Sequence, residues 1–199
     1  MIKFPIIIIS SPRSGSTPLA YDLKNKYKVE LFNEPFGSPP GGTARPKISE
    51  QKQLLSLVKN NKNKFILKLH IADLKAYPKE IIRIIETHNC HLIRIRRKDI
   101  VSQCTSLYIE IYRNVWGYYK NFISENEIAN LSDTELPINQ DNIEECIDRI
   151  SRLNNKLNKI NYMIDQDVWY EDLSFDETFI KTPRPKNYNT IKENIEKIL

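Results

Sequence analysis

The stretch Ser10-Ser11-Pro12-Arg13-Ser14-Gly15-Ser16-Thr17 carries the residue types needed to hold an anion. It follows the β-branched run Ile6 to Ile9 and leads into a segment, Thr17 to Lys24, with Pro18 placed for a helix's first turn. A helix start presents unpaired backbone N–H groups and the positive end of the helix dipole, a ready anion site. Gly15 lets the backbone approach an anion closely, and Ser14, Ser16 and Thr17 offer hydroxyl donors. Arg13 adds a permanent charge with a forked set of donors. The pattern G-x-x-x-x-G-K-[ST] is absent, since no lysine stands between Gly15 and the helix. No hydrophobic strand ending in aspartate offers itself to magnesium.

Three other places could do chemistry. In Phe65-Ile66-Leu67-Lys68-Leu69-His70 a lysine and a histidine stand two apart at a strand end, so both fall on one side of a sheet. Imidazole titrates near neutrality, which suits His70 to taking a proton from an attacking hydroxyl. Glu34, in Phe32-Asn33-Glu34-Pro35-Phe36, is the rival base. The third place is His91-Leu92-Ile93-Arg94-Ile95-Arg96-Arg97-Lys98-Asp99, a strand with a basic end, followed by Ser102, Gln103 and Ser106. Alternation sets His91, Ile93, Ile95 and Arg97 on one face, with Arg97 at the end where an anion would sit.

These residues need elements to position them. The continuous apolar run Ile6 to Ile9 reads as a strand buried on both faces, as in a parallel sheet. Further strands are expected at Val29 to Phe32, Phe65 to Leu69, His91 to Arg97 and Val168 to Tyr170. Helices are expected at Gln51 to Lys59, Pro78 to Glu86, from Asp99 onward, Asp141 to Ile160 and Ile191 to Leu199. Ser38 to Ile48, rich in Pro and Gly, reads as a mobile loop. Strands alternating with helices predict one α/β domain over residues 1–199, a central parallel sheet flanked by helices with a phosphate-binding strand–loop–helix.

Composition narrows the partners. A net charge of +5 suits a polyanionic ligand but does not choose between a nucleotide, a nucleic acid and an acidic glycan. Cys90, Cys104 and Cys146 are scattered and odd in number, which predicts neither a disulfide framework nor a zinc site, and a reducing, cytoplasmic setting. No apolar stretch approaches the roughly 20 residues that a membrane span requires. Tyr108, Tyr112, Trp116, Tyr118 and Tyr119 recur at helical spacing, which fits core or pocket packing better than a nucleic-acid face.

The motifs together resemble the PAPS-dependent sulfotransferases, enzymes that use 3′-phosphoadenosine 5′-phosphosulfate as donor. Pro12-Arg13-Ser14-Gly15-Ser16-Thr17 matches every position of their P-[KR]-S-G-[ST]-T loop. By that resemblance Arg13 holds the 5′-phosphate and the bridging oxygen, while Ser14 to Thr17 wrap the phosphate. Lys68-Leu69-His70 resembles their K-T-H element, with leucine where threonine is usual, and implies His70 as base and Lys68 as a stabiliser of the leaving group. Asn33-Glu34-Pro35 resembles the segment that carries a glutamate base in carbohydrate-type members. Arg97, Asp99, Gln103 and Ser106 are similar to the bacterial form of the 3′-phosphate element; the more familiar spacing would use Arg94 and Ser102. Tyr170-Glu171-Asp172-Leu173 is like a frequent Y-E-D-L segment, read as a strand end whose carboxylates hold neighbouring loops. A P-loop-like fold, PAPS as co-substrate with 3′,5′-adenosine bisphosphate (PAP) as product, and no metal are what the resemblance implies. A small-molecule or carbohydrate acceptor is expected, with no nucleic-acid or membrane partner. A nucleotide-kinase-like phosphotransferase and a non-catalytic basic anion-binding module are the alternatives.

Overall fold

In the computed structural model the described residues are 2–36, 47–71, 77–113, 130–160, 162–174 and 184–199. The expected loop between Ser38 and Ile48 falls mostly outside them, as do Trp116, Tyr118 and Tyr119. Contacts group the chain into two compact units: Met1–Arg96 with Leu153–Leu173, and Arg97–Arg152 with Ser174–Leu199.

The first unit holds the α/β sheet. Strands β1 (Ile6–Ser10), β2 (Glu30–Asn33), β3 (Phe65–His70), β4 (His91–Arg96) and β5 (Gln166–Trp169) form one sheet in the order β2-β3-β1-β4-β5. Every neighbouring pair is parallel. β1 lies at the centre because it can: Ile6, Ile7, Ile8 and Ile9 are all fully buried, as the uninterrupted β-branched run requires. Their side chains divide by parity. Ile6 and Ile8 pack with Leu19, Ala20 and Leu23 of α1 (Ser16–Tyr27) and with Ile66, Ile93 and Ile95. Ile7 and Ile9 pack on the other side with Leu54 of α2 (Ile48–Lys59), Ile81 and Ile85 of α3 (Lys79–Glu86), and Phe65, Leu67 and Leu69. Leu69, the departure from K-T-H, therefore belongs to the face opposite Lys68 and His70.

Several boundaries differ from the sequence reading. α1 runs to Tyr27, and its C-cap Lys28 takes the left-handed conformation. The last strand ends at Trp169, and Tyr170–Asp172 form a 3-10 turn instead of continuing it. β4 ends at Arg96, so Arg97 follows the strand rather than closing it.

The second unit contains α4 (Ile100–Arg113), the larger part of α5 (Gln140–Asn158) and α6 (Tyr188–Ile198). Cys104, Leu107, Tyr108, Ile143, Cys146, Ile150, Ile191 and Ile195 make its core. Tyr108 is fully buried, donates to the Pro137 carbonyl (2.8 Å) and accepts from the Asn139 amide (3.0 Å), so this ring of the aromatic series is core. The three cysteines are free and buried. Among the described residues no helix is long and apolar enough to cross a membrane.

Candidate functional site

The residues after β1 form a shaped turn. Gly15 is the N-cap of α1 at φ +78°, and Arg13 is left-handed as well, at φ 59°. Both positive-φ residues fall within the turn that joins β1 to α1. The serines serve the turn itself. Ser14 donates to the Ser11 carbonyl (2.8 Å) and Ser10 donates to the Ser16 hydroxyl (2.9 Å), all four residues being buried. The expectation that Ser14 would turn its hydroxyl to an anion is thus corrected: its proton is used inside the loop.

The need for glycine at position 15 has two causes. A side chain at φ +78° is strained, and a Cβ there would stand 2.0 Å from Cδ2 of Tyr170. The ring of the Y-E-D-L segment packs against the loop at Gly15. Gly15→Ala is therefore expected to lose about 2–4 kcal/mol, combining left-handed strain with overpacking. In a double-mutant cycle with Tyr170→Ala the two losses should be less than additive by about 1–2 kcal/mol, measured by urea unfolding.

Beside this loop lies a buried charged cluster. Lys68, on the α1 face of β3 and opposite Ile8, is 2% exposed. Its ammonium donates to Thr17 Oγ1 (2.9 Å) and pairs with the Glu34 carboxylate. Glu34 Oε1 also meets His70 Nε2 at 2.7 Å. His70 stands opposite Ser10, the last residue of β1, and the next amide, Ile71, donates to the Ser10 carbonyl (2.7 Å). Tyr77 donates to the His70 carbonyl (2.7 Å). Burial pushes the Glu34 carboxyl up, yet Lys68 and His70 together outweigh it and hold the group well below the usual carboxylate range. The same burial, with Glu34 nearby, pushes the Tyr77 phenol up.

Backbone conformation marks the same place. Among the described residues, five that are not glycine have positive φ: Arg13, Lys28, Glu34, Asn61 and His88. Lys28 caps α1, and Asn61 and His88 follow the ends of α2 and α3, where left-handed residues are ordinary. Arg13 and Glu34 terminate no helix, and both lie at this site. Each such residue costs roughly 1–3 kcal/mol, and such residues gather where a surrounding structure fixes functional groups.

The arginines and serines proposed for a 3′-phosphate divide differently. Arg94 pairs with Asp167 (Nη2–Oδ2, 2.5 Å), and Arg96 binds the same carboxylate and lies over the Trp169 ring. Burial raises the Asp167 carboxyl, and hydrogen bonding to Arg94 leads the contributions that bring it down overall. In the second unit Asp99 caps α4, its Oδ1 accepting from the Ser102 amide (2.9 Å), and the Ser102 hydroxyl helps to hold that carboxyl low. Both members of the Arg94/Ser102 pair are thus engaged by carboxylates within their own units. Arg97 and Ser106 both lie in the second unit.

No family model matches the chain. No curated protein sequence matches it either. Among solved structures it is similar to shikimate kinase from Bacteroides thetaiotaomicron, at a TM-score of 0.39 and 5% identity over 97% of this chain and 94% of that one. It is also similar to a sugar kinase from Janibacter sp. HTCC2649, at a TM-score of 0.33 and 13% identity over 77% of this chain and 95% of that one. Likeness at that level speaks for neither a shared reaction nor a shared substrate.

Sequence reasoning had found Arg13, Gly15, Thr17, Glu34, Lys68 and His70, and the structure brings them to one end of the sheet. It had missed Tyr170 as the loop's packing partner. The signal, a tyrosine directly after the last strand, was present but had no address.

Proposed function

We propose that this chain transfers a sulfuryl group from PAPS to a hydroxyl or amine of a small-molecule or carbohydrate acceptor, with no metal ion taking part. The observation that carries the reading is the Lys68–Thr17 contact. In an NTPase phosphate loop the Ser/Thr hydroxyl at this place ligates magnesium. Here the Thr17 hydroxyl accepts from a buried ammonium that is also neutralised by Glu34. A fixed cation repels a second one, and the Glu34 carboxylate is already paired with it. The site supplies its own positive charge next to the loop.

That charge has work to do in the transfer. As the bond from sulfur to the bridging oxygen breaks, negative charge gathers on that oxygen, and donors already in place stabilise it without reorganising. Lys68 and Arg13 fill this role. The loop amides and Thr17 hold the 5′-phosphate. The phosphotransferase alternative would need a divalent cation brought to the loop against Lys68.

The direct test is label transfer. With [³⁵S]PAPS and a panel of hydroxyl- and amine-bearing acceptors in EDTA, radioactive sulfur should appear in an acceptor. Label moving only from [γ-³²P]ATP, and only with magnesium, would establish the phosphotransferase instead.

A further inference from the structure

Charge is divided unevenly between the two units. The first carries nineteen lysines and arginines against eleven aspartates and glutamates, and the second carries eleven against fourteen. We propose that the end of the sheet opposite the loop after β1 is a docking face for an anionic lipid surface. The proposal is independent of the sulfuryl-transfer reading.

Topology gathers the excess charge at that end. All five strands are parallel and start nearly level: Ile6 stands beside Ile66 and His91, Glu30 beside Phe65, and Gln166 beside Ile93. The segments that lead into the strands therefore emerge together. Lys3 precedes β1, Lys28 precedes β2, Lys62 and Lys64 precede β3, and Lys159 lies on the way to β5. The last turns of α1 and α2 add Lys24, Lys26 and Lys59. All of these lysines are exposed. A lysine in a last turn also suits the helix dipole, but Lys3, Lys62 and Lys64 belong to no helix.

The charge is not cancelled locally. Among the described residues no carboxylate pairs with Lys24, Lys26, Lys28, Lys62 or Lys64. Lys24 and Lys26 lie instead over the rings of Tyr21 and Tyr27, at 5.6 and 5.5 Å. Glu30 accepts from Gln53, and Asp165 accepts from the Leu92 amide (2.7 Å). Arg83 and Glu86, close to the end of α3, balance each other in charge.

Three features favour a lipid surface over a nucleic acid. The lysines fringe both layers, since α1 packs on one face of the sheet and α2 on the other, and this makes a broad patch instead of a stripe. Their ammonium groups are point charges on flexible stems, without the fork by which arginine fits a phosphate or a base edge. Met163, ahead of β5, is 58% exposed and gives the patch an apolar side chain to bury at the acyl boundary. The motifs gave no reason to expect a membrane partner; the placement of charge does. Docking by this end turns the loop after β1 away from the lipid.

Co-sedimentation of the full chain with vesicles of phosphatidylcholine alone, and of phosphatidylcholine and phosphatidylserine in equal parts, tests the proposal. The wild type should sediment with the anionic vesicles at low salt, be released as salt rises, and ignore the neutral ones. A basic residue close to an anionic surface contributes roughly a factor of five to partitioning. The triple variant Lys28→Glu, Lys62→Glu, Lys64→Glu should therefore bind at least about 10²-fold more weakly. A control of equal net charge in the second unit, Arg152→Glu, Lys186→Glu, Lys197→Glu, should keep most of the binding. Urea unfolding checks that both variants fold, and Met163→Glu, a single change, should also weaken sedimentation. Absence of wild-type binding to anionic vesicles overturns the proposal, and so does an equal loss in the control. Retention of duplex DNA or RNA at a salt concentration that leaves vesicles unbound would make the patch a nucleic-acid face and refute it as well.

Discussion

Lys68→Met should destabilise the fold by about 3–5 kcal/mol and abolish detectable transfer. The stability loss follows from what it leaves behind. Glu34 would keep only His70 as a partner in a buried setting, and removing one member of a buried ion pair costs that much because the other charge stays desolvated. The catalytic loss follows from the same ammonium, which reaches both Thr17 of the loop and the Glu34 carboxylate. Removing it takes away a charge aimed at the leaving group and frees the Thr17 hydroxyl. pH adds a signature with a definite sign. Glu34 has a folded pKa below its ordinary value, so its stabilising contribution is whole above the ordinary glutamate range. It is lost as pH falls through the lower, folded value. Chemical unfolding between neutral and acid pH should therefore show a shallower acid-side loss in Lys68→Met than in the wild type.

Arg13→Ala should reduce turnover roughly 10²–10³-fold, the usual cost of removing one preorganised donor from a developing oxyanion. Arg13 is partly exposed and sits in the loop rather than the core, so the stability loss should be small by comparison. Its left-handed backbone also carries strain that alanine would keep, whereas Arg13→Gly would relieve it. Comparing the two variants separates the side chain from the turn: both should lose turnover, and the glycine variant should unfold at the higher urea concentration. Near wild-type turnover in either would remove Arg13 from the mechanism.

Much of the framework was legible in the sequence, and the reasons are local. Ile6 to Ile9 could only be a doubly buried strand, and Gly15 after a proline and an arginine could only be a turn into a helix. Period two placed Lys68 and His70 on one face without any tertiary information, and that is where they lie. What could not be read depends on long-range order. The Glu34–Lys68 pair exists because β3 inserts between β1 and β2 and because Glu34 takes a left-handed turn straight after β2. Neither fact has a signature in residues 30–36. Arg94, the alternative anion ligand in the more familiar spacing, is held by Asp167 on the neighbouring β5. Tyr170 against Gly15 is a contact over most of the chain, and only the parallel arrangement of the strands brings it about.

On the sulfuryl-transfer reading, a built-in ammonium stands where a phosphate loop would hold magnesium. Calorimetric titration of PAP into the wild-type chain, in EDTA and again in excess magnesium, with ATP and 5′-AMP as competitors, tests it most directly. Tight PAP binding that is indifferent to magnesium and lost when the 3′-phosphate is absent is the predicted result. Preference for ATP, appearing only with magnesium, would contradict the account.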